Sequence, residues 1–77
     1  MSIHVRYFAS LKETVGQTDT TLELLAPLSA RQIWQQLNPQ LPIPETVLSA
    51  VNMQYVELDS LVQDGDELAF FPPVTGG

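Results

Sequence analysis

The chain has 77 residues, 44% of them apolar, and its three Lys/Arg against nine Asp/Glu give a formal net charge of −6. A chain of this length forms one domain and leaves little room for a deep private active-site cleft. So few cations exclude a nucleic-acid-binding protein, which needs clustered Lys and Arg, and the lack of cysteine excludes disulfides and thiolate chemistry.

The first segments predict a strand, a short helix and a second strand. Residues 3–8 alternate with a period of two, which predicts a first strand. Its two faces carry Ile3, Val5 and Tyr7 on one side and His4, Arg6 and Phe8 on the other. Residues 9–15 suit a short helical turn that Gly16 ends. Residues 20–25 are rich in β-branched and apolar side chains and predict a second strand paired with the first.

The clearest helix start lies at Ser29. Ser29 suits an N-cap, and Gln32 stands three residues later, as in a capping box. Trp34, the single tryptophan, follows on the apolar face, where core packing is favoured over ligand contact. Pro39 ends the helix because proline disfavours helical geometry in the residue before it. Residues 38–46 then form a short proline-rich loop.

The second half of the chain predicts strands joined by tight turns. Residues 47–51 and 54–56 are strand candidates separated by a turn at residues 52–53. A second turn at residues 64–66 is supported by glycine and by Asp side chains that bond to the backbone. Residues 67–71 form the last strand, and the two prolines after it cannot donate to a ladder.

This order of elements predicts an α+β fold. Two strands, one main helix and further strands suggest a mixed sheet packed on that helix. A final strand lying centrally beside the first would match the β-grasp arrangement, a step that rests on analogy of topology. We assign residues 1–72 to the domain and residues 73–77 to a flexible C-terminal tail.

Charge and hydropathy bear on location and partners. No window approaches the roughly 20 apolar residues of a membrane span, and the first residues lack the apolar stretch of a signal peptide. We therefore expect a cytoplasmic protein with no membrane contact. The acidic surface predicts partners with basic docking patches, or simply keeps a small protein soluble.

The catalytic inventory is thin. His4 lies on a strand with no nearby acid or nucleophile for a relay, so a surface strand residue is the favoured interpretation. Asp64, Asp66 and Glu67 surround a glycine, but they lack the ligand series of an EF-hand. Turn chemistry explains these acidic residues, and we expect no metal site.

The last residues, Gly76 and Gly77, are the remaining candidates for function. Glycines can thread a narrow channel and adopt backbone angles that other residues cannot. The preceding Pro72 and Pro73 stiffen the base of this tail. A terminal carboxylate is unreactive, so chemistry at Gly77 requires activation by a partner, most simply as an acyl-adenylate. The alternative is that glycine is merely tolerated at a fraying terminus.

The chain resembles the sulfur carrier small subunits of molybdopterin synthase. The specific part is residues 64–77, DGDELAFFPPVTGG, and residues 5–13 and 50–52 are similar as well. Carriers for thiamin thiazole share the Gly-Gly end and the acidic turn, but usually not the Phe-Phe-Pro-Pro run. The match spans almost the whole chain.

The resemblance implies a ubiquitin-like β-grasp fold and a cycle of sulfur transfer. An E1-like adenylyltransferase would consume ATP to adenylate the C-terminal carboxylate, and a sulfurtransferase would supply the sulfur of a thiocarboxylate. The tail would then enter the large synthase subunit and give sulfur to cyclic pyranopterin monophosphate. Two large and two small subunits would form a heterotetramer. The carrier itself would bind no cofactor and catalyse nothing alone.

The resemblance also implies roles for single residues. Gly77 would be the activated and thiolated group, and Gly76 its channel-threading neighbour. The tail and docking surface would comprise Phe71, Pro72, Pro73, Val74 and Thr75. Phe8 would join them as an interface anchor, or else pack under the turn of residues 9–15. The loop at 38–46 is shorter than in many relatives, which leaves its role open.

Two other functions remain open at this point. The chain could be a sulfur carrier of another pathway, such as thiamin thiazole synthesis, or a ubiquitin-like modifier attached to lysines. A plain interaction module with an incidental Gly-Gly end is the least specific interpretation.

Overall fold

The computed structural model describes residues 2–73. In chain order the elements are β1 Ser2–Tyr7, α1 Ser10–Val15, β2 Asp19–Glu23, β3 Leu28–Ser29, α2 Ala30–Leu37, β4 Leu48–Val51, β5 Gln54–Val56, β6 Leu61–Val62 and β7 Glu67–Phe71. The tail positions 74–77 lie outside the described residues, so the boundary assigned at residue 72 stays a prediction.

The strands β2, β1, β7, β4 and β5 form a five-stranded mixed sheet in that order. β7 lies in the centre, parallel to β1 and antiparallel to β4. The two-residue strands β3 and β6 pair separately. The central position of the last strand confirms the β-grasp arrangement predicted by analogy.

The predicted elements are correct except at their ends and for the two shortest strands. β2 begins at Asp19 and ends at Glu23, rather than spanning residues 20–25, because Glu23 already pairs with Ser2 at the start of β1. β3 and β6 were not predicted, since two residues cannot display a period.

One face of the sheet packs on α2 around three aromatic rings. Trp34 is fully buried and meets Tyr7 and Phe70 edge-on, with ring centroids 5.8 and 5.1 Å apart. Its indole N–H donates to the Leu41 carbonyl at 2.7 Å, which satisfies the buried donor. The prediction that Trp34 belongs to the core is confirmed. The other large, fully buried apolar side chains are Ile3, Val5, Ile33, Val62 and Leu68.

The start of α2 follows its sequence signal. The Gln32 backbone N–H donates to Ser29 Oγ at 3.1 Å, and the Ser29 backbone N–H donates to Gln32 Oε1 at 2.9 Å. This reciprocal pair is the predicted capping box. Two orphan donors of the first turn are thereby satisfied, which fixes where the helix begins.

Arg31 of α2 ties the proline-rich loop to the domain. Its guanidinium donates to Glu45 and, at 2.9 Å through Nε, to Asp59. The hydrogen bond that Arg31 donates to Glu45 raises the pKa of the guanidinium most, and the one that it donates to Asp59 raises it further. The short loop at 38–46 therefore has a structural attachment through Glu45. Within residues 2–73 we find no helix long and apolar enough to cross a membrane.

Candidate functional site

The face of the sheet opposite α2 carries a shallow depression of about 200 Å³. We call it the outer depression. Two small residues, Ala50 and Ala69, face each other across β4 and β7. The lining residues are Arg6, Phe8, Ala50, Met53, Tyr55, Glu67, Ala69 and Phe71. Because alanine side chains are short, the larger side chains around them become walls.

Stacked aromatic rings form one wall of the outer depression. The rings of Phe8 and Phe71 lie nearly parallel, 10° apart in plane, with centroids separated by 4.7 Å. Tyr55 lies 5.9 Å from Phe71 on the other side, and Arg6 Cζ lies 5.2 Å from the centre of the Phe8 ring. The sequence left open whether Phe8 packs under the following turn. The structure places Phe8 on the outer face with Phe71, in contact with a cation as well.

The sequence predictions missed Met53, Tyr55 and Arg6 as members of this surface. Met53 and Tyr55 are 92% and 69% exposed, and they reach the depression only through the pairing of β4 with β5 and β7. One local signal was present: large apolar side chains stand at and beside a hairpin tip, where glycine and polar residues are the usual choice.

The last strand ends beside this face. Phe71 ends β7, which is paired on both sides. Pro72 is half-buried and Pro73 is exposed. The other predicted tail residues, Val74, Thr75, Gly76 and Gly77, lie outside the described residues, and their roles stay predictions.

A row of charged side chains crosses the same face. His4 lies 3.7 Å from the carboxylates of both Asp19 and Glu67, and Arg6 lies 3.9 Å from Glu67. The expectation that His4 has no nearby acid is wrong, because β1 runs between β2 and β7 and so brings both carboxylates alongside it. These side chains are half-exposed and too far apart for hydrogen bonds, so each pair contributes little to stability.

The acidic turn is explained by its own hydrogen bonds. Asp66 Oδ2 accepts from the Gln63 backbone N–H at 2.9 Å, and Asp66 Oδ1 accepts from Asn52 Nδ2 at 3.0 Å. Gly65 has a φ of 87°, which glycine adopts freely. The turn prediction is confirmed. Within the described part of the chain, no group of three His, Cys, Asp or Glu side chains could hold a metal ion.

A family model described as the ThiS family matches residues 5–77. The chain belongs to the ThiS family. Among its relatives is the molybdopterin synthase sulfur carrier subunit of Escherichia coli (strain K12), which is 38% identical over 97% of this chain and 99% of its own length. The family resemblance noted from the sequence is thereby confirmed.

Solved structures agree with this ThiS-family fold. SAMP1 from Haloferax volcanii superposes with a TM-score of 0.78 at 22% identity, covering both chains completely. A complex of subunits 1 and 2 of the molybdopterin-converting factor from Helicobacter pylori 26695 contains a chain with a TM-score of 0.62 and 24% identity, again covering both chains completely. At these identities the two likenesses establish the ubiquitin-like β-grasp fold alone.

Proposed function

We propose that this ThiS-family protein is the sulfur carrier subunit of a molybdopterin synthase. The observation that carries the proposal is its 38% identity to the Escherichia coli carrier over nearly the full length of both chains. The Gly-Gly sequence that the proposal requires begins five residues after Phe71, the last residue of the central strand. Pro72 and Pro73 follow that strand immediately.

The chemistry takes place on the Gly77 carboxylate and is supplied by partners. A carboxylate oxygen attacks the α-phosphate of ATP on an E1-like adenylyltransferase, and pyrophosphate leaves. A hydrosulfide equivalent, delivered by a sulfurtransferase, then displaces AMP to leave a thiocarboxylate. That sulfur forms a C–S bond to a carbon of cyclic pyranopterin monophosphate, whose oxygen substituent leaves, and water then cleaves the acyl–sulfur bond and restores the carboxylate. The carrier contributes a reactive end group and its delivery.

The outer depression is the docking surface that this delivery needs. Stacked Phe8 and Phe71 form a half-buried aromatic wall beside the end of β7, and aromatic residues are enriched at protein interfaces. The partner we propose is the large synthase subunit, as in the complex of the two converting-factor subunits from Helicobacter pylori. The net charge of −6 suits a partner with a basic docking patch.

Intact-mass analysis tests the proposed function. The carrier is incubated with the activating enzyme, ATP and a sulfur donor, and its mass is compared with that of a variant lacking Gly77. We expect the mass of the full chain to rise by one exchange of sulfur for oxygen, while that of the truncated chain stays constant. An unchanged mass of the full chain, with enzymes shown to be active on another carrier, would overturn the proposal.

A carrier for another pathway is the second candidate, because the matching family model is that of the ThiS family. Such a carrier would also become a thiocarboxylate, so mass alone does not separate the two functions. Co-purification does: only a molybdopterin synthase carrier binds the large synthase subunit. A ubiquitin-like modifier would instead give isopeptide-linked adducts in cells.

A further inference from the structure

The hairpin between β4 and β5 turns through two residues with positive φ. Val51 pairs with Gln54, and between them Asn52 has a φ of 50° and Met53 a φ of 72°. Two-residue hairpin loops with positive φ at both positions favour Asn-Gly. Asn52 suits the first position. Met53 occupies the second, where its side chain makes the left-handed conformation unfavourable.

Hydrogen bonds to β7 and to the turn before it prevent this hairpin tip from relaxing. The Asn52 backbone N–H donates to the Glu67 carbonyl at 2.8 Å, and the Glu67 N–H donates back to Asn52 Oδ1 at 3.0 Å. Asn52 Nδ2 also donates to Asp66 Oδ1 at 3.0 Å. Backbone strain persists where the surroundings over-determine it, and it clusters at functional sites. The fold thus holds Met53 in its unfavourable conformation.

The Met53 side chain does not stabilise the domain. It is 92% exposed and does not belong to the hydrophobic core or to the apolar side chains packed against it. It does line the outer depression together with Tyr55 and Phe71. A flexible, polarisable thioether on an exposed surface is typical of a contact that adapts to a partner.

The length of chain after Pro73 limits which partner can cover this face. Four residues reach at most about 14 Å when fully extended, so the subunit that receives Gly77 must come within that distance of Pro73, next to Phe71 at one end of the outer depression. The outer depression, at about 200 Å³, is smaller than the 300–1,000 Å³ typical of small-molecule sites. Its size suits a side chain of a protein partner rather than a metabolite.

We propose that Met53 is a specificity-determining docking residue, whose thioether contacts an apolar surface of the large synthase subunit when that subunit covers the outer depression. The inference rests on the proposed function and extends its docking surface from Phe8 and Phe71 to the hairpin tip. It also explains why this position holds a methionine, which disfavours the turn conformation and does not pack in the core.

Three variants of Met53 separate the apolar contact from the shape of the turn. Met53→Gly and Met53→Asn both tolerate positive φ and remove the apolar side chain, whereas Met53→Leu keeps it. The matched control is Leu25→Gly, since Leu25 is fully exposed and does not line the outer depression. Each full-length chain is titrated into the purified large subunit by calorimetry, and its melting temperature is recorded.

We expect Met53→Gly and Met53→Asn to raise the Kd about tenfold, the loss of one good interface contact. Met53→Gly should also melt higher than the wild type, so that binding and stability move in opposite directions. Met53→Leu and Leu25→Gly should keep the wild-type Kd. Wild-type affinity in Met53→Gly and Met53→Asn overturns the inference but leaves the proposed function standing. A tenfold loss of affinity for the large subunit in Leu25→Gly also overturns the inference. The same holds if the rate of adenylation of Met53→Gly by the activating enzyme falls as much as its affinity for the large subunit. A wild-type chain that does not bind the large subunit overturns the proposed function together with the inference.

Discussion

Ala9 lies between β1 and α1 with a φ of 54° and a ψ of −132°. It is the second residue of a turn that the Leu11 N–H closes on the Phe8 carbonyl at 3.1 Å. Positive φ at this position of a turn is dominated by glycine, asparagine and aspartate. Alanine is strained here, and its exposed methyl group gains little burial in return. We therefore predict that Ala9→Gly stabilises the domain.

The magnitude follows from two opposing terms. Relief of a sparsely populated backbone conformation returns about 1–3 kcal/mol. Glycine also increases the conformational entropy of the unfolded chain, which costs about 0.4–1 kcal/mol. The balance is a gain of roughly 1 kcal/mol, which corresponds to a rise in melting temperature of about 4–8 °C for a domain of this size.

Thermal unfolding followed by circular dichroism measures this shift. The control is Ala26→Gly, because Ala26 is also exposed but does not have a positive φ. That control should lower the melting temperature by the entropy term alone. If Ala9→Gly lowers the melting temperature as much as the control does, the backbone at Ala9 is not strained and the reasoning is refuted.

Three further predictions concern the turn, pH and the tail. Asn52→Gly keeps the positive φ but removes two side-chain hydrogen bonds, so urea unfolding should show a loss of about 1–2 kcal/mol. Burial raises the pKa of Tyr7, so the folded state keeps a proton that the unfolded chain loses. The free energy of unfolding should fall as the pH rises above about 10, and Tyr7→Phe should flatten that fall. Gly76→Leu should abolish sulfur delivery with an unchanged melting temperature, since a tail residue contributes little to the core.

Each of these has a result that contradicts it. Wild-type stability in Asn52→Gly would mean that the hairpin tip is not held by Asp66 and Glu67. Equal alkaline losses in Tyr7→Phe and the wild type would assign the pH dependence to other groups. A large drop in melting temperature for Gly76→Leu would show that the tail packs on the domain.

Local signals in the sequence predicted the parts of the fold that depend on neighbours along the chain. The capping box of Ser29 and Gln32, the glycine that ends α1 and the burial of Trp34 each follow from residues a few positions apart, and the structure confirms them. β3 and β6 were not predicted, because their pairing joins segments that are distant in sequence and only two residues long.

The outer depression was predicted only in part, again because local signals do not show which strands are neighbours. The family resemblance predicted that Phe8 and Phe71 belong to this surface, and their rings stack in the structure. Met53 and Tyr55 join them only because β5 follows β4 at the edge of the sheet. The acids beside His4 were missed because Asp19 and Glu67 come from the strands on either side of β1. Local periodicity shows which face a side chain lies on, but not which strands are neighbours.

The central position of β7 determines how the domain resists a mechanical force applied to its C-terminal end. A pull on the tail, such as withdrawal from a tight channel, acts along a strand bonded to β1 on one side and β4 on the other. Such a force stretches both ladders in shear, so that many hydrogen bonds resist together instead of opening one after another. Extraction should therefore leave the domain intact, and under the proposed function the same molecule could be loaded again for another cycle.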